Sequence, residues 1–286
     1  MPLTLPVETT DVIGLDELVD HVRAKVDLDD HDSICEAAPK LAALANDKAF
    51  LGRWLAEQLR CPERFQPDSA YYSRAFVLAR GPRFMVRATM WLPDEVPELP
   101  LVDNDDERIA GLTNSMYGVV HNHTFSFLTV GYFGPGYDTD TFEVDPERID
   151  VEAPVDLRPL GRTTLQVGKM MYYRAKIDVH NQIPPPSLSI ALNLLVMSED
   201  ESAEQFYFDL GSRKVAAVVG ARNAARCTIC DLAGAVGDEE TRELLARAGA
   251  RSVSPRVQAA ARRSAEAIDL RLGSAQEAKR AGQPRS

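Results

Sequence analysis

The stretch Gly118-Val119-Val120-His121-Asn122-His123-Thr124-Phe125-Ser126-Phe127-Leu128-Thr129-Val130, closed by Gly131, decides how the rest of the chain is read. It is rich in β-branched and aromatic residues and free of proline, which predicts a strand. Alternation along that strand sends His121 and His123 to one face, with Phe125 and Phe127 beyond them, and Asn122, Thr124 and Ser126 to the other. Two imidazoles side by side on a rigid strand make a poor core pair and a good half of a metal site. Of the five histidines in the sequence, a third, His180, ends a second strand-like run from Lys169 to Val179. The expectation is that His121, His123 and His180 meet around one metal ion, with Glu143 as a candidate fourth ligand. Among the tyrosines near these histidines in sequence (Tyr132, Tyr137, Tyr172 and Tyr173), Tyr172 is the candidate catalytic hydroxyl.

Working outward, residues 71–79 and 83–92 read as strands joined at Gly81-Pro82. Further strands are expected at 140–144, 163–167 and 187–197, with a hairpin of 205–210 and 214–219 around Gly211-Ser212. Gly134-Pro135-Gly136 reads as a hairpin turn. A run of short antiparallel strands with Gly/Pro turns implies a sandwich or barrel. On its N-terminal side the period is helical: Ile13, Leu15, Leu18, Val19, Val22 and Val26 share a stripe, Ser33 and Glu36 have capping-box spacing, and a third helix spans 47–60. On its C-terminal side helices are expected at 221–232 and 239–248, and from the Ser254-Pro255 start to Leu272. The division is a helical cap over 1–60, a β-barrel over 61–220, helices over 221–274 and a disordered tail over 275–286. The fold class is mainly β, α+β overall.

A chain of 286 residues, 45% hydrophobic and 26% charged, has the composition of a globular protein with a full core. Its net charge of −11 argues against nucleic acid or an anionic membrane as partner. No cationic, apolar leader opens the sequence and no run of about 18 apolar residues exists. Cys35, Cys61, Cys227 and Cys230 are too scattered for a disulfide framework, so the expected location is the cytoplasm. Cys227 and Cys230 form a C-x-x-C on a helix without the second pair that structural zinc needs. The acidic, proline-interrupted stretch from Pro93 to Ser115 reads as a surface loop.

Three neutral imidazoles on a divalent ion leave coordination positions open, and all-nitrogen ligation suits iron, zinc, copper or nickel. Tyr72-Ser73-Arg74 on an early strand, then His121-Asn122-His123, then His180 ahead of Pro184-Pro185-Pro186 and a terminal strand, resemble the cupin superfamily. Within it, these residues look most like the cysteine dioxygenase-type, three-histidine iron enzymes. The resemblance spans roughly Tyr71 to Met197. It implies a cupin-like antiparallel β-barrel or jelly roll, Fe(II) held by His121, His123 and His180, and Arg74 gripping a substrate carboxylate. Phe127 stands where four-ligand cupins carry a glutamate. The cross-linking cysteine of some thiol dioxygenases is absent near Leu128, and no Ser-His-Tyr relay is visible, so the metal site carries over better than the thiol substrate. The expected function is a mononuclear non-haem iron oxygenase acting on a small, carboxylate-bearing metabolite and dioxygen. The alternatives are a zinc or nickel hydrolase or isomerase and a non-catalytic ligand-binding cupin. The expected partners are that small molecule and O2, with neither nucleic acid nor membrane; a homo-oligomer is left open.

Overall fold

Both strand runs that carry the histidines break in the middle, and the breaks are where the chain changes sheets. The computed structural model describes residues 2–62, 74–93, 117–151, 153–199, 203–219, 221–252 and 254–281. Tyr72, Ser73 and the bulk of the acidic stretch (94–116) lie outside the described residues. The first sheet runs in the order β1 (Leu3–Leu5), β8 (Met170–Tyr173), β5 (Phe125–Phe133), β10 (Ser189–Met197), β3 (Phe84–Trp91), β2 (Ala75–Arg80). The second runs β12 (Lys214–Val219), β11 (Gln205–Asp209), β4 (Val120–His121), β9 (Asp178–Ile183), β6 (Asp138–Glu143), β7 (Arg158–Thr164). The pairings β1–β8, β8–β5, β5–β10, β10–β3, β3–β2, β11–β4, β4–β9, β9–β6 and β6–β7 are antiparallel. The stretch 118–130 is therefore two strands in two sheets, β4 and β5, and 169–179 is likewise split between β8 and β9. Strands that switch sheets make the corners of a sandwich. Among the described residues the architecture is two antiparallel sheets with helices, the sandwich form of the mainly β fold that the sequence implies.

The chain forms two compact units, residues 1–199 with 205–218, and residues 200–204 with 219–286. In the first unit, α1 (Leu15–Lys25), α2 (His31–Glu36), α3 (Ala38–Asn46) and α4 (Phe50–Gln58) cover the outer face of the first sheet. Leu18, Leu41, Leu44 and Phe50 meet Val86, Leu128, Leu192 and Leu194 there. Each such side chain contributes about 1.5–3 kcal/mol on burial. The cap of α2 is Asp30, whose carboxylate accepts the Ser33 N–H at 3.0 Å; Ser33 Oγ instead accepts from Asp27 N. Pro39 sits in the first turn of α3, where its missing N–H costs nothing. The outer face of the second sheet is apolar too, with Val120, Val144, Val155, Val179 and Phe208.

Gly134-Pro135-Gly136 joins β5 to β6, and so links the two sheets instead of closing a hairpin. Gly134 has φ +83°, and a Cβ there would lie 2.1 Å from the Leu188 carbonyl oxygen. Gly134→Ala is expected to lower stability by about 1–3 kcal/mol, read as a fall in the thermal midpoint. An unchanged midpoint would mean that this connection relaxes freely.

In the second unit, α5 (Ala221–Val236), α6 (Glu239–Arg251) and α7 (Pro255–Ala281) share a core of Cys227, Cys230, Leu245, Val257, Ala260 and Ile268. Asp238 caps α6 by accepting from Thr241 N at 3.0 Å. The helix expected to stop at Leu272 continues to Ala281, through residues assigned to a loose tail. Burial pushes both thiols up, so they are poor nucleophiles.

Candidate metal centre

The inner faces of the two sheets should hold the apolar core of a sandwich, yet they are mixed aromatic and polar. Cross-strand register assigns them. On the first sheet, Arg87 pairs with Asn193, and Asn193 with Thr129; Met85 pairs with Leu195, Leu195 with Phe127, and Phe127 with Tyr173. These odd-numbered positions point inward, while Val86, Ala88, Leu128, Leu192 and Leu194 point to the helices. On the second sheet, Tyr207 pairs with His121, His121 with His180, and His180 with Thr141.

His121 ends β4, His123 lies in the corner leading to β5, and His180 is in the middle of β9. One nitrogen from each ring can be chosen so that all three lie within 4.8 Å of one another. The ring centroids are 4.6–4.9 Å apart. His121 Nδ1–H donates to the Val119 carbonyl at 2.9 Å, which leaves its Nε2 lone pair as the ligand atom. His180 is 1% exposed, and neither of its ring nitrogens has a hydrogen-bond partner among the described residues; nor has His123 Nδ1. Burial drives His123 and His180 well below the ordinary imidazole range, and His121 and Arg87 push the same way, joined by His180 at His123; a hydrogen bond from the His123 ring to Gln205 opposes this. Burial also lowers His121, against the Val119 hydrogen bond. All three rings are therefore neutral at pH 7, the form a metal binds. Buried imidazoles without partners are a cost to the fold. An ion among them would take up one nitrogen of each ring and so offset part of that cost, and the donor set fits a divalent transition metal.

Aromatic rings enclose the triad. His123 stacks on Phe125 at 4.5 Å, Tyr173 meets His180 edge-on at 5.1 Å, Phe127 stacks on Tyr173 at 4.6 Å, and Tyr207 lies along His121 at 5.6 Å. Further along the inner face Trp91 stacks on Tyr137 at 3.9 Å, and Trp91 Nε1 and Gln182 Oε1 are buried without partners among the described residues.

The other candidates fall elsewhere. Tyr172 is turned to the helical side of the first sheet, where its hydroxyl is hydrogen-bonded to His31 Nδ1 and burial raises it to about 12. The tyrosine beside His180 is Tyr173, whose hydroxyl burial also pushes up. Arg74 precedes β2, and its carbonyl accepts the Met90 N–H at 2.8 Å. That register aligns Arg74 with the helical side, the side of Ala88 and Ile190. The arginine on the inner face is Arg87, whose charge acts on His123, His180 and Tyr137. No motif in the sequence marks Arg87; only its alternation with Val86 and Ala88 hints at its direction. Glu143 pairs with Asp178 in register, and its carboxylate is 2.6 Å from Arg158 and 3.7 Å from Arg174, so it is engaged by guanidinium groups. Asn193 and Ala191 face inward and Leu192 and Leu194 outward, with Asn193 Nδ2 donating to Thr89 Oγ1 at 3.0 Å.

Among the described residues no helix is long and apolar enough to cross a membrane. No protein-family model matches the chain, and no curated protein matches it in sequence. Solved structures with partial similarity include hydroquinone 1,2-dioxygenase PnpCD in complex with Cd2+ and 4-hydroxybenzonitrile (9% identity over 46% of this chain and 68% of that one, TM-score 0.27). They also include hydroquinone 1,2-dioxygenase from Sphingomonas sp. TTNP3 with 4-hydroxybenzoate bound (8%, 46% and 69%, 0.28). A structure of the DMSP lyases RdDddP and RnDddQII gives 16% identity over 45% of this chain and 49% of that one, with TM-score 0.25, so the chain spans about half of it. Overlaps this weak carry no argument about activity, and the reading of the site rests on its own geometry.

Proposed function

We propose that the chain is a mononuclear non-haem iron-dependent oxygenase acting on a small, carboxylate-bearing metabolite. Fe(II) would be held by His121, His123 and His180, and zinc or nickel would fit the same donors. The observation that carries this reading is the convergence of three neutral imidazoles, His180 buried and His121 and His123 partly exposed, on one point between the sheets. When bound, the metal supplies Lewis acidity and open positions where substrate and dioxygen can be brought together. The residues of the chain do the rest. Phe125, Phe127 and Tyr173 keep water from the ligand side of the triad. The hydrogen bond to Val119 fixes the tautomer and orientation of His121. Arg87, in place of Arg74, receives the substrate carboxylate, because a guanidinium fork matches that group and sits on the same inner face.

The test is oxygen uptake by the Fe(II)-loaded protein across a panel of small carboxylates. Substrate-dependent consumption supports the oxygenase; stoichiometric zinc with turnover but no oxygen use transfers the site to hydrolysis or isomerisation. Ligand binding retained in a metal-free His121→Ala variant would make the chain a binding protein. With an active substrate, Arg87→Met is expected to raise KM about 10–100-fold, the loss of a charge-assisted hydrogen bond of roughly 1.5–3 kcal/mol, with a smaller change in kcat. Arg74→Met is expected to leave KM close to wild type, and the opposite ranking of these variants would return the role to Arg74.

A further inference from the structure

The corner at residues 122–124, where the chain leaves the second sheet for the first, contains one wholly buried polar side chain. Asn122 is 0% exposed. Its carboxamide is used at both ends: Nδ2 donates to the Lys176 carbonyl at 2.9 Å, and Oδ1 accepts the Phe206 N–H at 2.8 Å. The Asn122 backbone N–H in turn donates to the Phe206 carbonyl at 3.2 Å. Phe206 thus meets Asn122 with both of its main-chain groups. The side-chain oxygen stands in for a backbone carbonyl and continues the β4–β11 ladder one rung past His121 and Tyr207. On the other side Lys176 N–H donates to the His123 carbonyl at 2.7 Å. Lys176 is held at φ 65°, a left-handed conformation that costs a non-glycine residue about 1–2 kcal/mol. Four residues beyond it is His180. One amide therefore ties together the residue between two of the imidazoles, the neighbouring strand β11, and the turn that feeds the strand of the third.

We propose that Asn122 is a positioning residue for the metal site: its carboxamide fixes the 122–124 corner against β11 and the Lys176 turn, and so sets the separation of the three imidazoles before an ion arrives. This rests on the reading of the triad as a metal site. A metal gains little from three donors that must first be gathered, and residues that hold ligands in place commonly account for about 10–100-fold in affinity. The two hydrogen bonds are directional. Aspartate keeps an acceptor for Phe206 N–H but turns an oxygen onto the Lys176 carbonyl, and alanine loses both bonds.

The test is titration of the chelator-treated chain with Co(II), followed by its visible absorption, for wild type, Asn122→Ala, Asn122→Asp and a distant control, Asn46→Ala. Asn46 makes a comparable clamp far from the triad, donating to the Thr9 and Asp11 carbonyls at 2.8 and 2.9 Å. Both Asn122 variants are expected to weaken Co(II) binding about 10–100-fold and to shift the absorption bands. Asn46→Ala is expected to lower the melting temperature while keeping affinity and spectrum. If Asn122→Ala does not fold, Asn122→Asp gives the same readout. Wild-type affinity and spectrum in either Asn122 variant would overturn the proposal, as would an equal loss in Asn46→Ala. Failure of wild type to bind Co(II) would overturn the triad reading itself.

Discussion

His180→Leu is expected to abolish metal binding while leaving the metal-free protein at least as stable as wild type. His180 is 1% exposed, with both ring nitrogens lacking partners among the described residues, between Tyr173 at 5.1 Å and Phe127 at 6.1 Å. In the absence of an ion, its two polar atoms have given up water for nothing, a cost of about 1–3 kcal/mol. Leucine fills comparable space without that cost. A gain of about 1 kcal/mol raises the midpoint of a domain this size by roughly 2–4 °C. Affinity should fall by more than about 100-fold, because residues that merely support a ligand already account for about 10–100-fold. Metal content after loading and thermal melts in chelator read the two effects separately. The combination distinguishes a site kept for chemistry from a core histidine, since only a functional group is better replaced for stability. A variant that melts well below wild type in chelator would show that the ring is a packed structural element.

The same residues show what the sequence could and could not convey. The inward pair His121 and His123 was legible because parity survives the break after β4: odd positions face inward in β4 and again in β5, with Phe125 and Phe127 following the histidines. Parity does not survive the other break. Counting back by twos from His180 through 178, 176 and 174 reaches Tyr172. The turn at 174–177, with Lys176 in the left-handed region, shifts the phase by one, so β9 turns its even residues inward and β8 its odd ones. That single shift exchanges Tyr172 for Tyr173. Nothing local marks the turn: Lys176 is a residue type that rarely adopts a left-handed conformation, and the run keeps its strand-like composition throughout. Arg74 and Arg87 fail to separate for a different reason. Arg74 immediately precedes β2 and Arg87 lies in β3, and which arginine faces the triad depends on the register of that pair, which is set by long-range pairing and not by either segment alone. The helices over 15–58 were easier, since their apolar period needs no partner to be seen.

Lowering the pH below about 6.5 is expected to destabilise the metal-free protein steeply, well before ordinary carboxylates titrate. The unfolded chain protonates its imidazoles near 6.5, whereas burial holds the folded values of His121, His123 and His180 beneath that. Above 6.5 both states are neutral and the rings make no pH-dependent contribution. Below it the unfolded chain takes up protons that the folded one refuses, so stability falls with pH until the folded values are passed. Each ring can add a slope approaching about 1.4 kcal/mol per pH unit, and three together approach about 4. The carboxylates held low by guanidinium partners, Asp140 by Arg162 and Asp47 by Arg53, lose their contribution only in a more acidic range, below 3.8, so the two regimes separate. Denaturant unfolding in chelator from about pH 8 to pH 5 measures the slope, which counts the protons taken up on unfolding. His180→Leu should reduce that count by one. A flat profile across this interval in wild type would mean that the folded protein accepts the protons, which requires imidazoles open to water and removes the case for a buried three-nitrogen site.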